Sequence, residues 1–210
     1  MITVESNFLD ENKLIQYIFT DGSCFPNNSS KESKGGYASI FANGPLCGKI
    51  LCGSLDNKIA NATNQRAEGI AILKSMQYLL KFTDWEDCIL VTDSNFWIQM
   101  IYDYMPNWND NKFKSKKNPD LTKKVYETYL SIKETKKNFK IIHMYSHNKS
   151  NWSNCKKTSK EYYFYFHNDI ADQIADCSKN MPKGKSLIVD CGFPIKNQLK
   201  DVILNLAKIR

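Results

Sequence analysis

Four carboxylates occupy positions where short elements of this chain begin or end. They are Asp21 in Thr20-Asp21-Gly22-Ser23, Glu68 in Asn64-Gln65-Arg66-Ala67-Glu68, Asp93 in Val91-Thr92-Asp93-Ser94, and Asp172 in Asn168-Asp169-Ile170-Ala171-Asp172. Each has an ordinary explanation by itself, since an Asp at a strand end forms turns and a Glu early in a helix complements the dipole. Brought into one cleft, four such groups would repel one another and hold protons more tightly unless cations neutralised them. The chain offers only His143, His147 and His167, and its seven Cys form no C-x-x-C pair. A set of hard oxygen donors therefore points to Mg²⁺ or Mn²⁺ rather than to zinc.

The elements that must carry these groups follow from the hydropathy period. Gln16–Thr20 is a short apolar run that stops at Asp21-Gly22-Ser23, which reads as a buried strand ending in a turn. After a Ser/Asn-rich stretch from Pro26 to Lys34, a strand reopens at Gly35 to Phe41, Asn43-Gly44 signals a hairpin, and Leu46 to Leu55 makes a third strand. Thr63 reads as an N-cap, and Ala67, Ile70, Ala71, Met76, Tyr78 and Leu79 predict a helix reaching Phe82. Asp87–Thr92 predicts a fourth strand, Ser94–Tyr102 a short helix, and Asp120–Lys137 a Lys-rich helix with Leu121, Val125, Tyr129 and Ile132 on one face. Phe139–Ser146 predicts a fifth strand and Asn168–Asn180 a last helix. The order predicts an α/β fold on a five-stranded mixed sheet, three strands antiparallel and two parallel, flanked by helices. Adjacent parallel strands would bring Asp21 and Asp93 to the same sheet edge, where α/β folds bind ligands.

Composition narrows the setting. With 210 residues, 42% hydrophobic and 24% charged, the chain can bury a core and is too apolar to be disordered. It divides into a domain over 1–180 and an extension over 181–210, where Ile195, Leu199, Val202, Ile203 and Leu206 form a helical stripe expected to pack on or near the domain. The net charge is +7, and all but Arg66 and Arg210 of the 29 basic residues are Lys. Such a balance permits a polyanionic partner without identifying one. No stretch approaches the roughly 18 apolar residues of a membrane span. Met1 to Lys13 holds Glu5, Asp10 and Glu11 and lacks a basic n-region and an apolar h-region, so no signal peptide is expected. The expected setting is intracellular and reducing, cytoplasm or nucleus, with the cysteines free and the chain monomeric.

Taken in order, Thr20-Asp21-Gly22-Ser23-Cys24, Gly35-Gly36-Tyr37-Ala38, Thr63-Asn64-Gln65-Arg66-Ala67-Glu68, Val91-Thr92-Asp93-Ser94, Lys117-Asn118-Pro119-Asp120-Leu121, Ser146-His147 and Asn168 to Ala175 resemble type 1 ribonuclease H over about residues 16–180. The resemblance implies the RNase H-like fold and an endonuclease that hydrolyses the RNA strand of an RNA–DNA hybrid, leaving 5′-phosphate and 3′-hydroxyl ends. It implies two Mg²⁺ ions, with Mn²⁺ as a substitute. Asp21 would bridge both, Asp172 would help hold the ion that activates water, and Glu68 and Asp93 would hold the ion at the leaving oxygen. Asp172 is preferred to Asp169 because it lies one turn from Asn168 and fits the family helix. His147 is the candidate for leaving-group protonation or product ejection, with His167 as competitor, while His143 reads as structural. Cys24, Asn27, Asn64, Gln65 and Asn168 fall where the family contacts substrate, and Asn64 and Gln65 could alternatively just cap their helix. Trp108 with Lys112, Lys114, Lys116 and Lys117 resembles a reduced basic protrusion that grips the DNA strand, or else is a solvated loop.

The chain departs from the family pattern between His147 and Asn168. Twenty residues intervene there, including Tyr162-Tyr163-Phe164-Tyr165-Phe166, a run expected to pack as an extra strand or hairpin or to offer stacking faces to nucleic acid. Two other functions stay open at this level: an idle nucleic-acid-binding module on the same fold, and another nuclease of that fold. The extension could also dock a replication protein.

Overall fold

The computed structural model describes residues 15–25, 33–56, 62–145, 155–156 and 159–191. Its strands are β1 (Gln16–Cys24), β2 (Gly35–Phe41), β3 (Lys49–Ser54), β4 (Asp87–Thr92), β5 (Asn138–His143) and β6 (Ser186–Asp190). They form one mixed sheet in the order β5-β4-β1-β2-β3-β6. β1, β2 and β3 pair antiparallel, β4 runs parallel to β1, and β5 runs parallel to β4. The helices are α1 (Asn64–Leu79), α2 (Asn95–Gln99), which continues through a π-helical turn over Met100–Tyr104, α3 (Asp110–Lys114), α4 (Pro119–Glu134) and α5 (Lys160–Ser178).

The sheet has six strands rather than the expected five. Residues 186–190 add an edge strand antiparallel to β3, with Val189 opposite Ile50 and Leu187 opposite Cys52. A five-residue run between Lys185 and Asp190 is too short to stand out in a hydropathy profile.

Strand alternation sorts the core into two layers. Ile18, Phe41 and Leu51 face the α1 and α4 side with Ile72, Met76, Leu79, Trp97 and Ile132. Tyr17, Phe19, Ile40, Ile50 and Val91 face α5 with Ile170, Ala171 and Ile174. Asp21 continues the Tyr17–Phe19 series and so turns toward α5, whereas Gly22 turns toward α1.

Helix α5 begins at Lys160, two turns before the Asn168 start expected from sequence. The aromatic run is thus helical, not a strand or hairpin. Ser159 Oγ caps the helix by accepting from Tyr162 N at 3.2 Å. Tyr163 and Phe164 then meet the rings of Tyr17 and Phe19 at centroid distances of 5.3–6.1 Å. Aromatic mass packed on a sheet this way stabilises a helix whatever its intrinsic propensity.

Asn27, His147 and the stripe from Ile195 to Leu206 lie outside the described residues. None of the seven cysteines, all among the described residues, is disulfide-bonded, and no helix among the described residues is long and apolar enough to cross a membrane.

Candidate active site

The parallel register places the first two carboxylates. Thr20 of β1 pairs with Thr92 of β4, so Asp21 and Asp93 are the next residues on neighbouring strands. Glu68 arrives from α1, whose N-terminus is capped by Thr63 Oγ1 accepting from Arg66 N at 3.1 Å. This close approach requires Gly22, because a Cβ there would lie 2.1 Å from Glu68 N and 2.3 Å from Ala67 C. Asp172 comes from α5 on the opposite face, one turn after Asn168.

Electrostatics show that Asp21 senses the other three carboxylates. Asp21 is 8% exposed. Its pKa is pushed well above the ordinary carboxylate value, first by desolvation, then by the charges of Asp93 and Asp172, with a smaller push from Glu68. The Gly22 N–H, donated to Asp21 Oδ1 at 2.6 Å, opposes this in part. Burial likewise raises Glu68, Ser94 Oγ lowers it by donating to Glu68 Oε2, and Asp93 raises it again. Asp93 Oδ1 and Asn168 Oδ1 are buried and make no hydrogen bond among the described residues. A buried, unpartnered carboxylate oxygen beside a carboxylate that resists ionisation is a site that lacks positive charge.

The donor set suits a hard divalent cation. Among the described residues, no group of three or more His, Cys, Asp or Glu side chains is arranged to hold a metal ion by itself. Mg²⁺ needs only one or two carboxylates, with waters and phosphate oxygens completing its coordination, whereas a structural zinc needs a closed set of His and Cys ligands.

The turn after β4 is tied to α1 twice, by Ser94 Oγ to Glu68 and by Trp97 Nε1 donating to Gln65 O at 2.7 Å. Gly69 makes room for that indole, since a Cβ would lie 2.1 Å from Trp97 Cζ2. Arg66, 4% exposed, anchors the other side of α1. Its guanidinium donates to both Asp120 oxygens, at 3.1 and 2.6 Å, and to Asn118 Oδ1 at 3.1 Å.

The other candidates separate into distinct places. Thr63, rather than Asn64 or Gln65, caps α1, and both amide side chains are exposed at its start. Cys24 is half-buried at the end of β1, and burial raises its thiol pKa. Trp108, Lys116 and Lys117 line a cavity of about 450 Å³ that Gln65, Asn118 and Thr122 also border. Phe96, Met100 and Tyr104 complete it, three residues that sequence reasoning misses although their four-residue spacing marks one helical face. Lys116 Nζ sits 5.4 Å from the Trp108 ring centroid. Lys112 and Lys114 are exposed on α3, outside that lining.

His167, the competitor to His147, lies in the core. It stacks on Phe19 at 5.2 Å, its Nδ1 lies 2.8 Å from the Tyr163 carbonyl, and it is 6% exposed. Burial lowers its pKa to about 4, so it is a neutral core side chain at neutral pH. His143, which reads from sequence as a structural strand residue, ends β5 and contacts the Asp93 backbone, with Nε2 3.0 Å from the carbonyl oxygen.

Comparison with known proteins bears on the family and the fold. The RNase H family model matches residues 13–178. A ribonuclease H of Campylobacter jejuni is 36% identical over 118 residues, covering 55% of this chain and 71% of that protein. A ribonuclease H of Pseudomonas fluorescens is 29% identical over 119 residues, covering 52% and 69%. Among solved structures, a Prototype Foamy Virus protease–reverse transcriptase aligns with TM-score 0.60 at 20% identity, covering 86% of this chain and 23% of that one. LC9-RNase H1, described as a type 1 RNase H with the type 2 active-site motif, aligns at 0.57 with 15% identity, covering 94% and 86%. At such identities the structural likenesses establish the fold, while the family match and the Campylobacter relative establish descent. This chain belongs to the ribonuclease H family.

Proposed function

We propose that this protein hydrolyses the RNA strand of RNA–DNA hybrids endonucleolytically, leaving 5′-phosphate and 3′-hydroxyl ends. The observation that carries this is the buried Asp21 carboxylate, faced by Asp93, Asp172 and Glu68 from three other elements and raised in pKa by all three. Two divalent cations, Mg²⁺ with Mn²⁺ as a substitute, would be held by Asp21, Glu68, Asp93 and Asp172 and would supply charge neutralisation at the scissile phosphate and a lower pKa for the attacking water.

The chain's own groups then divide the remaining work. Ser94 Oγ and the Gly22 N–H hold Glu68 and Asp21 in place before substrate arrives, so no reorganisation is needed as charge develops. Asn64 and Gln65, exposed beside Glu68, can each donate and accept, which suits minor-groove edges and 2′-hydroxyls. By resemblance to the family, Cys24, Asn27 and Asn168 are further proposed substrate contacts. The cavity of Phe96, Tyr104, Trp108, Lys116 and Lys117 offers aromatic faces and cations to the DNA strand, with Lys112 and Lys114 adding charge nearby. His147 is the proposed proton donor or product-ejecting group.

The test is cleavage of an end-labelled RNA–DNA hybrid with and without Mg²⁺. Cleavage that requires Mg²⁺ and is lost in Asp93→Asn is expected. A folded wild-type protein that binds hybrid without cutting it, in Mg²⁺ or Mn²⁺, would replace the enzyme by a binding module. His147→Ala should slow turnover without abolishing metal binding.

A further inference from the structure

We propose that His143 is a positioning residue that holds the Asp93 and Glu68 carboxylates in register through one backbone carbonyl; the proposal rests on the reading of this site as a divalent-cation centre. His143 is the last residue of β5, opposite Thr92, and Met144 N donates to Thr92 O at 2.9 Å. The imidazole therefore lies beside the turn that follows β4. Its Nε2 is 3.0 Å from Asp93 O. A carbonyl only accepts, so Nε2 carries the hydrogen and donates it.

The peptide held in this way joins two groups of the site. On one side is Asp93, whose Oδ1 is buried and makes no hydrogen bond among the described residues. On the other is Ser94, whose hydroxyl donates to Glu68 Oε2. A shift of this peptide would move the Asp93 carboxylate and the hydroxyl that orients Glu68 together. Asn95 N also donates to Asp93 O, at 3.2 Å, but from within the same turn, so it cannot fix the turn relative to the sheet. His143 can, because it belongs to β5. The Tyr145 ring stands at 4.7 Å and 89° to the imidazole and restricts its rotation. His143 acts on backbone and not on substrate, so its loss should weaken the cation site and leave hybrid recognition intact.

The experiment compares wild-type protein with His143→Phe and His143→Ala, which lack the donor, and with His143→Gln, which restores an N–H at similar reach. Mn²⁺ binding to the substrate-free full chain is measured by titration calorimetry, alongside thermal melts. Phe or Ala should weaken Mn²⁺ binding by about two- to tenfold, the scale of one neutral hydrogen bond, and Gln should return to within about twofold of wild type. In hybrid cleavage, the Mg²⁺ concentration giving half-maximal rate should rise by the same factor while KM for hybrid at saturating Mg²⁺ is unchanged. Folded donor-less variants with wild-type Mn²⁺ affinity would overturn the proposal, as would a Gln variant no better than Phe and Ala. If wild-type protein binds Mn²⁺ in this His143-dependent way but cuts no hybrid, the nuclease reading fails and the positioning role stands. A wild-type chain that binds no Mn²⁺ ends the positioning role.

Discussion

Gly22 offers a sharp perturbation of the site because it carries no side chain and yet sets the distance between the elements that bear Asp21 and Glu68. A Cβ at position 22 would lie 2.1 Å from Glu68 N and 2.3 Å from Ala67 C, both backbone atoms of α1 that no rotamer change can move. Ordinary contact begins at 3.4 Å, so Gly22→Ala must part β1 from the start of α1 by more than 1 Å. Overpacking of this kind costs about 1–3 kcal/mol. For a chain of this size that lowers the melting temperature by about 3–10 °C. The catalytic loss should be larger than the stability loss, because Glu68 retreats from Asp21 by the same distance and a misplacement of about 1 Å costs on the order of 100-fold in rate. Thermal melts followed by circular dichroism and single-turnover cleavage of a labelled hybrid at saturating Mg²⁺ measure the two effects separately. A Gly22→Ala protein that melts within about 1 °C of wild type and cleaves at the wild-type rate would refute the claim that this glycine sets the Asp21–Glu68 spacing.

Three further outcomes are expected. Asp21 is raised above its ordinary pKa by desolvation and by its carboxylate neighbours, so its ionisation costs stability as pH rises past the unfolded value. Asp21→Asn should therefore stabilise the metal-free fold at pH 7 while abolishing cleavage. Added Mg²⁺ should raise the wild-type melting temperature more than that of the variant, and a less stable Asn variant would count against the electrostatic account. His167 runs the other way, since its folded pKa of about 4 lies below the ordinary 6.5. Its contribution is complete above the unfolded value and lost as pH falls toward the folded one, about 3 kcal/mol between neutral pH and pH 4. His167→Phe should flatten the wild-type stability profile by that amount in denaturant titrations across this range, and parallel profiles would show that the ring is not buried neutral. Arg66→Lys cannot reproduce the fork on Asp120 or the bond to Asn118. It should destabilise by about 2 kcal/mol, below the full value for a buried pair because the Asp120 side chain is 36% exposed. Urea unfolding measures this, and a loss under about 0.5 kcal/mol would mark the pair as ornamental.

Much of the site is legible in the amino-acid sequence, and the reasons are local. Asp21-Gly22-Ser23 closes an apolar run, Thr63 precedes a helical period, and Asp93 ends a second apolar run, so turn and cap chemistry alone place the carboxylates at element ends. What misleads is also local. Tyr162 to Phe166 looks like strand or hairpin material, yet Ser159 caps a helix there and the rings find Tyr17 and Phe19, which lie more than 140 residues earlier in sequence. The β6 run escapes notice because its partner β3 is equally remote. His143 passes as an ordinary strand residue because nothing in its neighbourhood of sequence shows that Asp93 O lies within reach.

The sequence by itself determined which residue types sit at which element ends and the order of those elements, its motifs carried the resemblance to the family, and its acidic residues gave the hard-oxygen donor set. Periodicity and turn chemistry are properties of adjacent residues, and they survive in a one-dimensional reading. Only the tertiary structure decided that Asp21 is desolvated among three other carboxylates, that Asp93 Oδ1 is left without a hydrogen bond among the described residues, and that His167 belongs to the core while His143 Nε2 lies 3.0 Å from the Asp93 carbonyl oxygen. Those facts depend on strand register and on how closely α1 and α5 approach the two faces of the sheet. Burial and Coulomb energy are set by distances through space, to which separation along the chain is no guide.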